Sequence, residues 1–137
     1  MNQPTFESIA VIGAGTMGSG IAAQIANAGL NVLLLDLAAK DSTSKAPAVA
    51  ALDRLLASDP PQLMHKSYVD RITPGIIDED FDKLANCDWI IEAVVERLDI
   101  KKLLYQRLHD TISADCIVSS NTSTIPIHLL VEDMPTK

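Results

Sequence analysis

The sequence predicts an α/β fold in which helices cover both faces of a parallel sheet, the doubly wound arrangement. Short apolar runs alternate with helical patterns along the chain, a rhythm typical of parallel strands joined by right-handed helical crossovers. The runs at residues 9–12 (IAVI) and 88–95 (DWIIEAVV) are almost uniformly hydrophobic, as expected for strands buried on both faces. At 137 residues the chain suits one domain, so we expect residues 1–137 to form a single unit.

The beginning of the chain predicts a strand, a helix and a second strand in quick succession. Residues 9–12 end on glycines, and apolar side chains then recur at helical spacing until Gly29, which stands where a left-handed cap belongs. The apolar members of this helix are Met17, Ile21, Ala22, Ile25 and Ala28. Residues 31–36 form the second buried strand, which ends on the carboxylate of Asp36.

The next segment predicts a loop, a short helix and a third strand. Residues 40–47 are rich in Ser, Thr, Lys and Asp, as a solvated loop would be. The helix that follows must end before Pro60 and Pro61, and its apolar positions are Val49, Leu52, Leu55 and Leu56. Residues 68–73 predict the third strand, which we expect to end at Pro74-Gly75.

The second half predicts a strand at residues 88–95, a helix from Asp99 and a further strand at residues 116–119. The helical pattern is amphipathic, with an apolar face and a charged one. We expect the buried face to carry Ile100, Leu103, Leu104, Leu108 and Ile112. The solvent face is expected to carry most of Lys101, Lys102, Gln106 and Arg107.

Composition argues against several classes of function. The formal net charge is −7, which disfavours a general affinity for nucleic acid or anionic membranes. No apolar run approaches the ~20 residues of a membrane span, and the N-terminal residues lack the pattern of a signal peptide, so we expect a cytoplasmic protein. Cys87 and Cys116 are far apart and lack metal-ligand spacing, so we expect no metal site and interpret both as inert side chains beside strands.

Residues 13–18 (GAGTMG) follow the first strand and open the first helix. The pattern GxGxxG is weak alone, but in this context, with an acid at the end of the next strand, it is the Rossmann-type dinucleotide fingerprint. Gly13 permits the tight turn, Gly15 lets a pyrophosphate approach the backbone, and Gly18 lets the helix pack on the sheet. The helix N-terminus offers N–H groups to the phosphates. The expected dinucleotide contacts are Gly13, Gly15, Thr16, Met17, Gly18 and Asp36.

The strand-end Asp36 predicts NAD rather than NADP as the cofactor. Its carboxylate can accept hydrogen bonds from both hydroxyls of the adenosine ribose, and its charge would repel a 2′-phosphate. Residues 37–39 (LAA) supply no arginine to hold that phosphate.

Two polar clusters follow the later strands, where ligands bind in open α/β sheets. Glu92 lies within an apolar run, so we expect its carboxylate to be hydrogen-bonded. Glu96 and Lys101 lie at the strand end and in the first helical turn, where they could face a cofactor or form a surface ion pair. Residues 119–123 are expected at the same edge of the sheet as the glycine loop.

Taken together, the chain resembles the NAD-binding domain of the 3-hydroxyacyl-CoA dehydrogenases. The resemblance is carried in the family's order by residues 11–22 (VIGAGTMGSGIA), Asp36, residues 92–101 (EAVVERLDIK) and residues 120–123 (SNTS). It implies oxidation of a 3-hydroxyacyl-CoA to the 3-ketoacyl-CoA in β-oxidation, with NAD as hydride acceptor. By position it also implies that Glu96, Lys101 and Asn121 contact the nicotinamide half in a polar, uncharged pocket. Ser123 would bind the substrate oxygen or help to place the catalytic base.

The resemblance also implies parts that these 137 residues do not supply. The family's catalytic histidine lies in a His-Phe-Phe-Asn-Pro-like run after SNTS, and no such run occurs here. His65, His109 and His128 lie in other contexts, so we expect surface or capping roles for them. We therefore expect a domain that is C-terminally incomplete relative to the family, without the helical domain that usually mediates homodimerisation. The long segment at residues 40–74 suggests a large multidomain fatty-acid-oxidation protein.

Two other interpretations stay open from the sequence. One is another NAD-dependent dehydrogenase, of the 3-hydroxyisobutyrate or 6-phosphogluconate type, against which SNTS argues. The other is a non-catalytic NAD-binding protein that reuses the domain.

Overall fold

A computed structural model describes residues 6–122 and 124–131, and these form a five-stranded parallel sheet with helices packed on it. The strands are β1 (Ile9–Ile12), β2 (Val32–Asp36), β3 (Ile72–Ile76), β4 (Trp89–Glu92) and β5 (Ile117–Ser120). The α-helices are α1 (Thr16–Asn27), α2 (Pro47–Ala57), α3 (Ile77–Asp80), α4 (Leu98–Thr111) and α5 (Ile127–Val131). Two 3-10 helices span Lys66–Arg71 and Phe81–Asn86.

The strand order is β3-β2-β1-β4-β5, and all four pairings are parallel. The chain winds outward from β1 to β3, crosses back, and continues from β4 to β5. The order therefore reverses between β1 and β4, where the Rossmann class opens a crevice at the carboxyl ends of the strands. Ile12 and Glu92 are paired at this end of the two strands. The predicted doubly wound α/β fold is confirmed.

The sheet separates two apolar cores, as the alternation of side chains along a strand requires. One core joins alternate residues of the strands, such as Val11 and Leu34, to the alanines of α1 and α2. The other joins residues of opposite parity, such as Ile12 and Ile90, to Leu104 and Leu108 of α4. Helices on both faces thus explain why β1 is buried along its whole length.

The third strand is displaced from its expected position. Residues 68–71 belong to the first 3-10 helix, and β3 runs through Pro74 and Gly75 rather than ending before them. The reason is that β3 lies at the edge of the sheet, where a proline can replace a residue whose N–H is not needed by a neighbouring strand. The strands predicted at 88–95 and 116–119 are present as β4 and β5 with shifted bounds.

The buried faces of the helices also differ from the apolar pattern. In α4, Leu103 is 68% exposed and Lys101 is 1% exposed, so the expected assignment of these two residues was wrong. The buried stripe consists of Lys101, Leu104, Tyr105 and Leu108, which keeps helical spacing. Smaller errors of the same kind are the exposed Met17 in α1 and the exposed Val49 and Leu56 in α2, where alanines make the close contacts instead.

In the described ranges no helix is both long enough and apolar enough to cross a membrane. Across the same ranges, no group of three or more His, Cys, Asp and Glu side chains is arranged to hold a metal ion. His65 accepts a hydrogen bond from the Ser67 N–H through Nδ1 at the start of a 3-10 helix. The capping role expected for His65 is confirmed.

The two thiols are predicted to differ in reactivity. Cys87 is buried, and burial raises the pKa of its thiol to about 11, while Cys116 is half-buried. Because the thiolate is the nucleophile, roughly a thousandth of Cys87 is reactive at pH 8. Titration of the folded chain with a disulfide reagent at this pH should show one fast thiol and one slow thiol. Cys116→Ser should remove the fast phase, and a fast phase that survives in this variant would contradict the assignment.

Candidate functional site

The glycine loop lies at the point where the strand order reverses, pressed against the end of β4. Gly13 has φ +109°, and a Cβ there would collide with the backbone carbonyl of Ala93. A Cβ on Gly18 would in turn collide with the carbonyl of Gly13. Hydrogen bonds from the Gly13 N–H to the Leu35 carbonyl (2.7 Å) and from the Ala93 N–H to the Ile12 carbonyl (2.8 Å) hold the loop between its neighbours. Glycine is therefore required at both positions by close backbone packing.

The start of α1 fits a phosphate-bearing ligand. In the described ranges, no atom other than those of Gly15 and its two chain neighbours lies within 4 Å of the Cβ position of Gly15, so the backbone there can be approached closely. Thr16 and Met17 open the helix and are exposed. Among the residues that the structure describes, no side chain caps this helix, and its first turn carries no acidic residue. Free N–H groups and the positive end of the helix dipole together form an anion site.

Asp36 ends β2 beside this loop with its carboxylate already oriented. One oxygen accepts the Ala14 N–H (2.6 Å) and the other accepts the Leu37 N–H (2.7 Å). Each carboxylate oxygen can accept a further hydrogen bond. The half-buried Asp36 is therefore fixed in place and can still receive two hydroxyl donors, as the ribose prediction requires.

The sequence analysis missed a basic side chain at the same corner. Arg54 of α2 donates through Nη2 to the Ala14 carbonyl at 2.8 Å, across 40 positions of the sequence. The absence of arginine from residues 37–39 therefore does not mean that the adenosine corner lacks one. Spacing gave no sign of this contact, because it depends on how α2 packs beside the loop.

A buried ionic cluster forms the other half of the site, between β4 and α4. Lys101 Nζ lies 2.9 Å from a Glu96 oxygen and 3.3 Å from a Glu92 oxygen. Glu92 and Lys101 are 0% and 1% exposed, and the Glu96 side chain is 37% exposed. Two carboxylates and one ammonium give this cluster a net charge of −1. The expectation of an uncharged pocket was thus wrong, although every buried side-chain polar atom in the described ranges has a hydrogen-bond partner.

The end of β5 completes the cluster. Ser120 donates to Glu92 Oε1 at 2.6 Å, and the Thr122 hydroxyl donates to Glu96 Oε1. The exposed Asn121 is held by its backbone N–H, which donates to the Glu92 carbonyl at 2.8 Å. The hydrogen bonding expected for Glu92 is confirmed. Ser123, the expected substrate contact, lies outside the described residues.

Tyr105 of α4 is a further member that the sequence analysis missed. Its hydroxyl donates to Glu92 Oε1 at 3.4 Å, and burial raises the pKa of Tyr105 to about 12. The ring therefore remains a neutral donor toward the carboxylate. Helical spacing from Lys101 to Tyr105 could have indicated that both face the same strand. His109, by contrast, lies about one turn beyond Tyr105, at the C-terminal end of α4.

The strand order, the glycine loop and the strand-end acid define a dinucleotide-binding protein of the Rossmann class. The family model described as "3-hydroxyacyl-CoA dehydrogenase, NAD binding domain" matches residues 8–137. The chain belongs to this family, and NAD is the cofactor of the domain.

Known relatives agree with this family. The "Putative fatty acid oxidation complex trifunctional enzyme" of Rickettsia felis is 42% identical over 134 residues, which cover 97% of this chain and 19% of that protein. The "Probable 3-hydroxyacyl-CoA dehydrogenase" of Deinococcus radiodurans is 42% identical over 124 residues, which cover 90% of this chain and 36% of that protein. The crystal structure of 3-hydroxybutyryl-CoA dehydrogenase from Escherichia coli K12 matches 96% of this chain with a TM-score of 0.78 and 30% identity. The match spans 28% of that longer chain.

Lys101→Met is predicted to destabilise the fold, because it leaves the carboxylates of Glu92 and Glu96 without their shared cation. Breaking a buried ion pair from one side typically costs about 3–5 kcal/mol. Lys83→Met is the matched control, since Lys83 pairs with Asp80 at 2.8 Å at an exposed position and surface pairs contribute little. Urea unfolding of the three proteins measures the difference. Equal stabilities for the two variants would show that the buried cluster contributes no more to the free energy of unfolding than the exposed ion pair does.

Proposed function

We propose that this chain is the NAD-binding part of a dehydrogenase that oxidises 3-hydroxyacyl-CoA to 3-ketoacyl-CoA in fatty-acid β-oxidation. The observation that carries the proposal is the convergence of three features at one edge of the sheet: the glycine loop, Asp36, and the cluster around Glu96. The names of the relatives support the substrate class. The chain matches 19% and 36% of the length of the two relatives described above, so the complete reaction is assigned to a longer protein.

The chain's own residues would bind and orient the cofactor, which supplies hydride acceptance when bound. Gly13, Gly15, Thr16, Met17 and Gly18 would face the pyrophosphate, and Asp36 would hold the adenosine ribose. Glu96 and Asn121 have exposed side chains and would meet the nicotinamide half directly. Lys101 is 1% exposed, so we propose that it acts on that half through Glu96.

The remaining catalytic parts are proposed by resemblance. Ser123 would hydrogen-bond the substrate oxygen or help to place the base. The catalytic histidine is proposed to lie outside these 137 residues, because His65, His109 and His128 do not match the family's context. By the same resemblance, we propose a helical domain, homodimerisation and a further hydratase-like domain for the full-length protein.

Asp36→Asn is predicted to weaken NAD binding by about ten- to hundredfold, because a hydrogen bond to a charged acceptor contributes roughly 1.5–3 kcal/mol. It should also narrow the preference for NAD over NADP, since the charge that repels a 2′-phosphate is removed. Calorimetry with both dinucleotides gives these values. Asp41→Asn is the control, because Asp41 is exposed and hydrogen-bonds within its own loop to Thr43 and Ser44. Unchanged NAD affinity in Asp36→Asn would remove the ribose assignment.

The 137-residue chain alone is predicted to oxidise no 3-hydroxyacyl-CoA, because a general base must lie within hydrogen-bond reach of the substrate hydroxyl. NADH formation would be followed by absorbance with 3-hydroxybutyryl-CoA as substrate and a full-length family dehydrogenase as the positive control. Turnover by the purified chain would show that it contains its own base and would overturn the proposed division of the site.

A further inference from the structure

Glu92 combines complete burial with an unusually full set of donors. Its Oε2 accepts the Val94 N–H at 2.9 Å and faces Lys101 Nζ at 3.3 Å. Its Oε1 accepts the hydroxyls of Ser120 at 2.6 Å and Tyr105 at 3.4 Å. These donors belong to α4, to β5 and to the segment after β4. One carboxylate therefore ties α4 and β5 to the end of β4.

The same residue is linked, directly or through Lys101, to each of the three residues that we assign to the nicotinamide half. Lys101 is held directly by the carboxylate, and Glu96 is held through the 2.9 Å contact that Lys101 makes on its other side. Asn121 is held by the Glu92 backbone, whose carbonyl accepts the Asn121 N–H at 2.8 Å. A shift of Glu92 would consequently move all three together.

We propose that Glu92 is a positioning residue for the nicotinamide half of the cofactor site. The inference rests on the proposed function, because it uses Glu96, Lys101 and Asn121 as the residues of that half. Glu92 is 0% exposed, so it acts on a bound dinucleotide through these neighbours. Its role is to hold them at a fixed spacing before the cofactor arrives, which lowers the ordering cost of binding.

The chemistry of the contacts requires a carboxylate here and excludes an amide as an equivalent. All four neighbours donate to Glu92, whereas a glutamine offers one accepting oxygen and one donating NH2 group. With the oxygen kept toward Val94 and Lys101, the NH2 group would face Ser120 and Tyr105, and the Ser120 hydroxyl would have to reverse. Glu92→Gln therefore preserves volume while removing the charge and the Ser120 donation.

The test compares NAD with ADP-ribose, which has both phosphates and both riboses but no nicotinamide ring. Calorimetry of the original chain should show tighter binding of NAD than of ADP-ribose. Glu92→Gln should lower NAD affinity by about tenfold. Losses of this size are typical when a residue that orients a binding group, without touching the ligand itself, is replaced, as measured for the residues that hydrogen-bond to metal ligands. Its affinity for ADP-ribose should change less than about twofold, because Asp36 and the glycine loop do not touch Glu92.

Ile90→Val is the matched control for a loss of stability without a loss of positioning. Ile90 is 0% exposed and lies two residues before Glu92 on the same face of β4, but packs in the apolar core. Its NAD and ADP-ribose affinities should keep their original ratio. Ser120→Ala removes the side-chain hydrogen bond from β5 to the Glu92 carboxylate and leaves the ion pair in place. It should reduce NAD affinity selectively, and it tests the inference even if Glu92→Gln fails to fold.

Three results would overturn the inference: equal loss of both ligands in Glu92→Gln, no loss of either in the folded Glu92→Gln and Ser120→Ala variants, or equal binding of both by the original chain. None of these results contradicts the proposed NAD-binding function, which requires only that the original chain binds NAD and ADP-ribose. Failure of the original chain to bind NAD and ADP-ribose at all would instead overturn the proposed function, and the inference with it.

Discussion

The buried ion pair between Lys101 and Glu92 is the constraint on which the arrangement of the second half of the chain depends. Removing a charge from water costs several kcal/mol even after relaxation, so neither residue could be buried without the other. Pairing them fixes the rotation of α4 about its own axis, which turns Lys101 and Tyr105 inward and leaves Leu103 in solvent. The polar pair sits at the crevice end of β4, while the apolar residues of α4 continue the core behind it.

The first half of the chain is held at the same crevice by backbone contacts that leave no space for side chains. Gly13 fits against the Ala93 carbonyl, and Gly18 fits against the Gly13 carbonyl. Ala93 directly follows Glu92, the last residue of β4, so the glycine loop and the cluster proposed to face nicotinamide contact neighbouring residues at the end of this strand. A rigid strand end thus sets the distance between the two halves of the site, and strands are more exact supports for such a site than loops are.

Local sequence signals predicted the placement of the glycine loop and Asp36 well, and that of the cluster around Lys101 only in part. The glycine loop and Asp36 could be found because their spacing is dictated by one strand–helix–strand unit. The inward orientation of Lys101 could not be predicted from the sequence. Helical periodicity places a lysine on the solvent face unless a buried acid is known to lie opposite it. Arg54 reaches Ala14 only through the packing of α2, and β3 runs through Pro74 only because it is an edge strand. Both features depend on contacts between elements that are distant in sequence, so local sequence patterns cannot predict them.

The charges along the crevice follow an order that a dinucleotide complements. At the end proposed to hold the adenosine ribose, the Asp36 carboxylate is fixed by the Ala14 N–H and can accept hydroxyl groups, and Arg54 hydrogen-bonds to the Ala14 carbonyl beside it. The middle carries the N-terminus of α1, which has no acidic residue in its first turn and favours an anion such as pyrophosphate. At the other end lies the cluster of Glu92, Glu96 and Lys101, which we propose faces nicotinamide and whose net charge of −1 would suit the cationic ring of the oxidised form. Lys101 offsets one of the two negative charges of this cluster, which reduces the repulsion that the cluster would exert on phosphates at the N-terminus of α1. The acidic character of the chain, −7 overall, is therefore compatible with an anionic cofactor, since the N-terminus of α1 is locally positive although the total charge is negative.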